Sequence, residues 1–390
     1  MISKLALNSL TLSGVLVAAM LAREAHAQFV PNETEVCPAS ARVTDPEFDR
    51  NSQQMAYFDG AGALRVAPVA PDGSIASAGC LGTIVSKNVV ISLPGLPFKN
   101  GPEWGGSQRG RELYFTRADS AGRAYMARVR FSNGAWRGSN LADSTDRGLA
   151  LVSDDATDAE PRLVYMHTIG NTGNYELAWR EAGRPETEAV VPGVVDTGTG
   201  GAPRWLAGSR TLTLGLPDSS GTRQATLYDV DTGMLRTLTT DAGHKDHVWL
   251  WPAPEFAGAL AMMTVVDGCC LRFYREVAGI WQVTREIKAN DFSRRPLIFS
   301  PEPVVYDGRS FVVMQLASQR IGYSEIWMVE MAATGLPPLL LSDPARRNLS
   351  RTEPEWMVTP SGLFVYVTVS DGSNRFALNL LKTPLTVQTP

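Results

Sequence analysis

One tripeptide recurs along the chain and places a charge at its middle position. It consists of proline, a charged residue and, in most copies, an aromatic residue. The middle positions are held by Glu47, Glu103, Arg162, Arg204, Glu255, Glu302 and Glu355. Carboxylates held close together raise each other's pKa or recruit a cation, and a hard cation such as Ca²⁺ is held by several oxygens. If the copies converge, they therefore predict a ligand-binding ring with an acidic side and, at the two adjacent arginines, a basic side.

Other site chemistry has little support in the sequence. No Gly-x-Ser-x-Gly turn, Walker loop, Gly-x-Gly-x-x-Gly turn or Cys-x-x-Cys pair is present, so the usual signs of a serine nucleophile or a nucleotide site are missing. His244 and His247 lie near Asp246 and either hold a metal or form an exposed polar loop. No cofactor motif is evident, and Ca²⁺ at the glutamates is the one cofactor that the pattern suggests.

The spacing of the tripeptides indicates which elements must position them. Seven copies recur between Pro46 and Pro354, about 51 residues apart, which is the size of one four-stranded blade of a β-propeller. We therefore predict an all-β, seven-bladed propeller in which each tripeptide lies at the crossover into the innermost strand of a blade. Six blades are the alternative, because the copies at Pro161 and Pro203 are only 42 residues apart.

A short polar turn and then an apolar segment follow most copies. Ser310–Met314 and Leu363–Val369 are examples, and we assign such segments to the innermost strands because these are packed on both sides. An alternating segment such as Gln224–Val230 and a shorter one such as Leu235–Thr239 follow as the next strands. Asp-Gly pairs such as Asp307-Gly308 predict hairpin turns between strands.

The last copy is one strand short of a complete blade. Its strands are predicted at Leu363–Val369, Phe376–Lys382 and Leu385–Val387. An open sheet edge invites pairing with other chains, so we expect residues 28–45 to supply the missing outer strand and to close the ring. Residues 28–390 then form a single propeller domain.

Part of the sequence resembles a known repeat. Pro203–Trp205, the segment Leu227–Gly233 and Leu235–Thr239 are similar to one repeat of TolB-like (WD40-like) β-propeller proteins, and Pro102–Trp104 and Pro354–Trp356 match its opening. The family usually continues that opening with Ser-Pro-Asp-Gly, which this chain replaces, for instance by Gly105–Gln108. The resemblance implies a propeller fold, a periplasmic location and a binding role more than any reaction.

The N-terminal segment reads as an export signal. Lys4 precedes an apolar run from Leu5 to Ala22, and Ala25–Ala27 is a small-x-small cleavage site. We therefore predict a signal peptide at residues 1–27, a mature N-terminus at Gln28 and a periplasmic or secreted protein. No later segment approaches the length of a transmembrane helix.

Four cysteines fit an oxidising compartment, where an even number suggests disulfides. Cys37 and Cys80 are the disulfide candidates, since a bond between them would tie down the N-terminal segment. Cys269 and Cys270 are neighbours after a turn. They form either a vicinal disulfide or two free thiols.

Composition and motifs leave a small set of functions. The 390 residues are 44% hydrophobic and carry a formal charge of −4, so the chain lacks the basic footprint of a nucleic-acid binder. We interpret the protein as a binding or scaffold module that docks a protein partner or a small polar or glycan ligand at the channel mouth. The alternatives are a glycoside hydrolase-like enzyme, which needs a carboxylate pair from Glu103, Glu255, Glu302 and Glu355, and another propeller enzyme such as a lactonase.

Overall fold

The computed structural model describes residues 29–90, 100–168, 175–194, 203–318, 321–332, 337–372 and 376–386. Within these ranges the strands form seven antiparallel sheets of four strands each. The prediction of an all-β, seven-bladed propeller is confirmed, and the six-bladed alternative is wrong. The described residues contain no helix long and apolar enough to cross a membrane. The predicted signal peptide lies outside the described residues.

Each blade runs from an innermost strand beside the channel to an outermost strand at the rim. Blade 1 consists, in that order, of β2 (Thr44–Asp49), β3 (Gln54–Phe58), β4 (Ala63–Pro68) and β5 (Thr83–Lys87). Blade 2 consists of β6 (Glu103–Ser107), β7 (Gly110–Ala118), β8 (Ala124–Ser132) and β9 (Ala135–Thr145). Blade 3 consists of β10 (Arg147–Val152), β11 (Arg162–Thr168), β12 (Tyr175–Glu181) and β13 (Arg184–Val190). Blades 4 and 5 consist of β14 (Arg204–Trp205), β15 (Thr211–Pro217), β16 (Arg223–Asp229) and β17 (Met234–Thr237); and β18 (Lys245–Pro252), β19 (Leu260–Val266), β20 (Cys270–Val277) and β21 (Ile280–Lys288).

The last two blades complete the ring. They consist of β22 (Leu297–Tyr306), β23 (Arg309–Ser318), β24 (Ile321–Glu330) and β25 (Leu339–Leu340); and β26 (Ser350–Thr359), β27 (Gly362–Ser370), β28 (Ala377–Thr386) and β1 (Asn32–Cys37). Short 3₁₀ helices lie at Ala39–Ala41, Ala78–Cys80, Pro254–Phe256 and Ala289–Asp291.

The apolar segments are the second strands of their blades, which corrects their assignment to the innermost strands. In β23, Val312 and Met314 pack against side chains of blade 5, whereas Phe311 and Val313 pack against side chains of blade 7. A second strand has a strand on either side and a neighbouring blade on either face, so both sets of alternating side chains are buried. An innermost strand has an open edge on the channel and tolerates polar residues.

Three of the innermost strands contain a proline at a place where the strand pairing is irregular. Pro46, Pro301 and Pro354 each lie within an irregularity of the ladder between the first and second strands. Proline lacks an N–H donor and is confined to edge strands and bulges, and an innermost strand offers both. In these three blades the position of the proline therefore follows from the open edge that the innermost strand presents to the channel.

The N-terminal segment supplies the outermost strand of blade 7. β1 pairs with β28 from Asn32 opposite Lys382 onward, at the place for which we expected a strand from residues 28–45. A disulfide joins Cys37, at the end of β1, to Cys80 of blade 1. β28 is continuous where the sequence predicted two strands, and the tripeptide strand β26 supplies the fourth strand of the blade.

Candidate functional site

The innermost strands enclose a central cavity of about 770 Å³, which we call the channel. Five of the seven predicted ring residues lie on innermost strands and line it: Glu47, Glu103, Arg204, Glu302 and Glu355. The four glutamates belong to blades 6, 7, 1 and 2, which follow one another around the closed ring. They form a continuous acidic arc along one side of the channel.

The opposite side of the channel carries apolar, basic and aromatic side chains. Leu151 of blade 3, Arg204 of blade 4 and Trp249 of blade 5 line it. The Arg204 guanidinium lies 4.5 Å from the centroid of the Trp249 ring, and its Nη2 atom is 3.7 Å from Oε1 of Glu302. Arg204 therefore reaches one end of the acidic arc, and the indole beside it supplies a flat apolar wall.

Glu255 does not occupy the ring position. It lies in the 3₁₀ turn Pro254–Phe256, after β18 has ended. Its carboxylate accepts hydrogen bonds from the Ser310 amide at 2.5 Å and the Ser310 hydroxyl at 2.8 Å, so it joins two blades. Blade 5 places Trp249 on the innermost strand instead, and this displacement rules Glu255 out of the acidic arc.

Arg162 is also displaced from the ring position. It begins β11, the second strand of blade 3, and its side chain is only 1% exposed. It donates to Asp158 at 2.6 Å and to the Ser209 carbonyl at 2.8 Å. Although it touches the channel wall, its donors are directed to neighbouring turns and not to the glutamates.

A second layer of channel residues was not predicted from the sequence. Asp45, His247, Ser300 and Glu353 each have a positive φ, between 42° and 52°, at an irregularity of an innermost strand. Each precedes a channel residue by two positions, and all four line the channel. The signal in the sequence was the polar residue before proline in the copies at Pro46, Pro301 and Pro354.

The carboxyl groups of the channel have raised pKa values. Burial raises the pKa of Glu103 and of Glu302 to about 7 against the attraction of Arg204. Burial raises the pKa of Glu47 and of Glu355 well above the usual range, with further contributions from neighbouring carboxylates. A negative charge removed from water and placed beside other negative charges is costly, so simultaneous ionisation of all four carboxyl groups is disfavoured.

The second layer adds another pair of acids. Burial raises the pKa of Asp45 well above its usual range, and the Glu353 carboxylate adds to the effect. Burial also raises the pKa of Glu353. These residues lie on blades 1 and 7, beside Glu47 and Glu355, so the acidic arc is two residues deep at its centre.

Few side chains offer a hydrogen bond or a positive charge to the carboxylates of the acidic arc. Asn100 donates to Glu103 at 2.7 Å, and Arg50 stacks on the Trp356 ring with its guanidinium carbon 3.4 Å from the centroid. Attraction by Arg50 lowers the pKa of Glu355 in part. Within the described residues, the Glu47 and Glu355 carboxylates form no ion pair and no hydrogen bond.

The histidine pair of the sequence does not converge. His244 accepts a hydrogen bond from the Arg223 amide at 3.2 Å, and Asp246 is held by the Arg223 guanidinium at 2.8 and 2.9 Å. His247 lines the channel, where burial and then Arg204 lower its pKa to about 4. The described residues contain no group of three His, Cys, Asp or Glu side chains arranged to hold a metal.

The second pair of cysteines consists of free thiols. Cys269 and Cys270 form no disulfide and are half-buried. Burial and contact with Cys269 raise the pKa of the Cys270 thiol to about 12. The vicinal disulfide that the sequence left open is not formed.

Comparison with known proteins shows similarity at the level of the fold. No family model and no curated protein matches the chain. Among solved structures, the Cps50 (Swd1) β-propeller domain of Myceliophteria thermophila is 11% identical with a TM-score of 0.53 and 90% of this chain and 99% of that chain covered. An oligogalacturonate lyase in complex with manganese is 12% identical with a TM-score of 0.53 and coverages of 92% and 94%. TolB from Acinetobacter baumannii is 13% identical with a TM-score of 0.39 and coverages of 71% and 64%.

The fold and the channel define the class of this protein. It is a seven-bladed β-propeller with an acidic central channel, and the predicted resemblance to propeller proteins is confirmed for the fold. Propellers commonly act as binding or scaffold modules. At these sequence identities the likeness carries the fold alone, since one architecture serves many functions.

Proposed function

We propose that this protein is an exported binding module whose ligand or protein partner places a cationic or polar group in the channel, against the acidic arc. The observation that carries the proposal is the run of Glu302, Glu355, Glu47 and Glu103 over four successive blades around one cavity. Apolar side chains make the contacts between blades in the described core, so packing does not by itself account for four glutamates at these positions.

The charge balance favours a cationic group. Among the described residues, Arg204 is the one basic side chain that forms an ion pair with these glutamates, and it pairs with Glu302. An ammonium or guanidinium group in the channel would stabilise the ionised glutamates, and Trp249 could receive its apolar part. Ca²⁺ is the cofactor that the sequence suggested, and it would have to draw the carboxylates together, because the described residues hold no group of three such side chains already arranged for a metal.

A binding experiment tests this proposal. We expect a lysine-rich peptide, spermidine or Ca²⁺ to bind the purified protein in calorimetry, and Glu47→Gln combined with Glu355→Gln to lower that affinity by about tenfold or more. Glu186→Gln, whose side chain is 65% exposed on β13, is the matched control and should bind as the parent does. Equal affinity in both variants, or no binding of any of these probes, would refute a cationic ligand.

Export is part of the proposal and rests on two features. Residues 1–27 have the pattern of a signal peptide, and the Cys37–Cys80 disulfide fits an oxidising compartment. Both support a periplasmic or secreted protein. Fractionation of cells that express the full chain provides the test.

A glycan-active enzyme is the second candidate. Glu103 and Glu302 line one cavity and both have a pKa of about 7, which suits groups that give and take protons near neutral pH. The oligogalacturonate lyase that shares the fold was solved with manganese, so Mn²⁺ belongs in the assay.

An activity screen separates the two candidates. Oligosaccharides, including oligogalacturonate with and without Mn²⁺, would be incubated with the protein and assayed for new reducing ends and unsaturated products. An enzyme should lose activity on Glu103→Gln or Glu302→Gln and keep it on Glu255→Gln, because Glu255 lies outside the channel. No turnover on the panel, together with retained binding of a cationic probe, would favour the binding module.

A further inference from the structure

A second cavity, apart from the channel, lies where the chain enters and leaves blade 6. Its volume is about 340 Å³. Residues 292–295, which lead into β22, line it together with residues from the middle of β24, Leu340 of β25, residues 342–344 and 347 of the following connection, and Arg351 at the start of β26. We call it the blade 6 pocket. None of its lining residues lines the channel, so it is a separate site.

Arginines dominate the polar lining of the blade 6 pocket. Arg294, Arg295, Arg347 and Arg351 all line it. Arg351 is fully engaged by Glu33, and Arg295 is held by Glu325 at 3.3 Å and by the Tyr323 carbonyl at 2.8 Å. These two are therefore structural.

The other two arginines have no carboxylate partner among the residues that the structure describes. Arg347 donates from Nε to the Pro344 carbonyl at 2.8 Å, which leaves its other donors available. Arg294 makes no side-chain hydrogen bond or ion pair within the described part of the chain. Both are exposed, and they come from the two segments that flank blade 6 in the chain, one before β22 and one after β25.

The acids of the pocket are already engaged. Glu325 accepts hydrogen bonds from the Ser293 hydroxyl at 2.8 Å and the Trp327 indole at 2.9 Å, in addition to its ion pair with Arg295. Asp343 accepts from the Ala345 amide at 2.8 Å within its own turn. Neither carboxylate pairs with Arg294 or Arg347, and the lining holds four arginines against these two acids, so its net charge is positive.

An aromatic pair completes the pocket. Trp327 and Phe292 meet edge to face with ring centroids 4.8 Å apart. The hydrogen bond from the Trp327 indole to Glu325 fixes the ring in place. An indole in the same pocket as two guanidinium groups that lack a carboxylate partner among the described residues suits a ligand that combines a ring with a negative charge, since arginine binds carboxylate and phosphate through paired donors.

We propose that the blade 6 pocket binds a small ring-bearing oxyanion, with Arg294 and Arg347 on the oxyanion and Trp327 against the ring. Phosphorylated sugars and uronic acids are the ligand classes with this chemistry. The site is independent of the channel and of the function proposed for it.

Calorimetry with four probes tests the inference. Glucose 6-phosphate and galacturonic acid carry a ring and a charge, inorganic phosphate carries the charge alone, and glucose carries the ring alone. We expect one or both charged sugars to bind, more weakly as salt is raised, and glucose not to bind. Which charged sugar binds more tightly distinguishes phosphate from carboxylate as the preferred group.

Variants assign the binding to the pocket. Arg294→Gln with Arg347→Gln should lower the affinity for the charged sugar by about tenfold or more. Arg137→Gln, a charge change at an exposed arginine of β9, should have no effect, and neither should Glu47→Gln in the channel. Trp327→Leu should weaken sugar binding more than phosphate binding, with a thermal melt to show that the variant is folded.

Three results would overturn the inference. The first is no binding of any charged probe up to about 1 mM, the weak end of the usual affinity scale. The second is undiminished binding by the Arg294 and Arg347 double variant. The third is an equal loss in Arg137→Gln, which would indicate attraction by overall charge and not by this pocket.

Discussion

Glu33 and Arg351 form a buried ion pair, with 2.8 Å between Oε2 and Nη2, that joins the outermost strand of blade 7 to its innermost strand. The two side chains are 0% and 1% exposed. Asn379 of the intervening β28 donates to the same carboxylate at 2.6 Å, and the Asp343 amide donates at 2.9 Å. The segment that closes the ring is therefore fixed by a buried polar network as well as by strand pairing.

Removing the charge of Glu33 should destabilise the protein strongly. Glu33→Gln leaves Arg351 buried without its counter-charge, and we expect a loss of about 3 kcal/mol in the free energy of unfolding. Glu35→Gln, on the same strand but exposed, is the control and should change it by less than about 0.5 kcal/mol. Urea unfolding at pH 7 measures both, and similar values for the two variants would contradict the role of the pair.

The same pair sets a pH dependence. Burial alone would raise the pKa of Glu33, but the hydrogen bond and charge of Arg351 outweigh it and lower the pKa. The carboxylate therefore contributes stability above its unfolded pKa of about 4.3, and this contribution is lost as pH falls through the lower folded value. The difference in the free energy of unfolding between the parent and Glu33→Gln should therefore become smaller in unfolding curves recorded toward pH 3.

Reduction of the Cys37–Cys80 disulfide should loosen the closure. The bond ties β1 to blade 1 across a separation of 43 residues, and we expect its loss to lower the free energy of unfolding by about 2–4 kcal/mol. The measurement is urea unfolding with and without reductant. A protein with Cys269→Ser and Cys270→Ser keeps the disulfide and should respond to reductant as the parent does; if reductant leaves the parent unchanged, the closure does not depend on this bond.

The acidic arc should make the protein less stable as pH rises. Because burial and neighbouring carboxylates raise the folded pKa of Glu355, its contribution to stability is complete below the unfolded value of about 4.3 and is lost as pH rises through the folded value. The side chain of Glu355→Gln cannot ionise. We therefore expect the variant to have the same free energy of unfolding as the parent near pH 4 and one about 1–2 kcal/mol higher at pH 8. Glu186→Gln should show no such trend. A stabilisation of Glu355→Gln that does not vary with pH would contradict this account.

Export should produce a defined N-terminus. We expect the processed protein to begin at Gln28, after the small residues Ala25 and Ala27. N-terminal sequencing or intact mass of protein recovered outside the cytoplasm tests this. Protein that still begins at Met1 would remove the prediction of a cleaved signal.

The number of blades could be predicted because proline is restricted in strands. Each of the seven blades contributes one proline tripeptide, and in blades 1, 6 and 7 the proline lies at the open inner edge. In blade 5, Pro254 lies in a turn, which is the other common place for proline, and its sequence pattern is the same. The count was therefore right, although the positions of Glu255 and Arg162 were not.

The second layer of channel residues could not be predicted from residue types. Asp45, Ser300 and Glu353 precede proline, which usually imposes an extended conformation, whereas in this protein they adopt a positive φ. In blade 5 the equivalent residues are His247 and Trp249, and no proline marks them. Arg50 meets Trp356 only because the ring brings the first and last blades together, and that contact has no local signal.

The hydrogen bond between Glu33 and Asn379 spans 346 positions of the chain, and this separation has a consequence for the order of folding. β1 and its partner strand β28 lie on either side of the other six blades in the sequence, so they can pair only after the chain between them has been brought round into a ring. Contacts this distant form slowly, because a long loop must close before they add any stability. Until that pairing forms, β1 and β28 each present an unpaired edge, and chaperone binding or pairing with another copy would compete with ring closure.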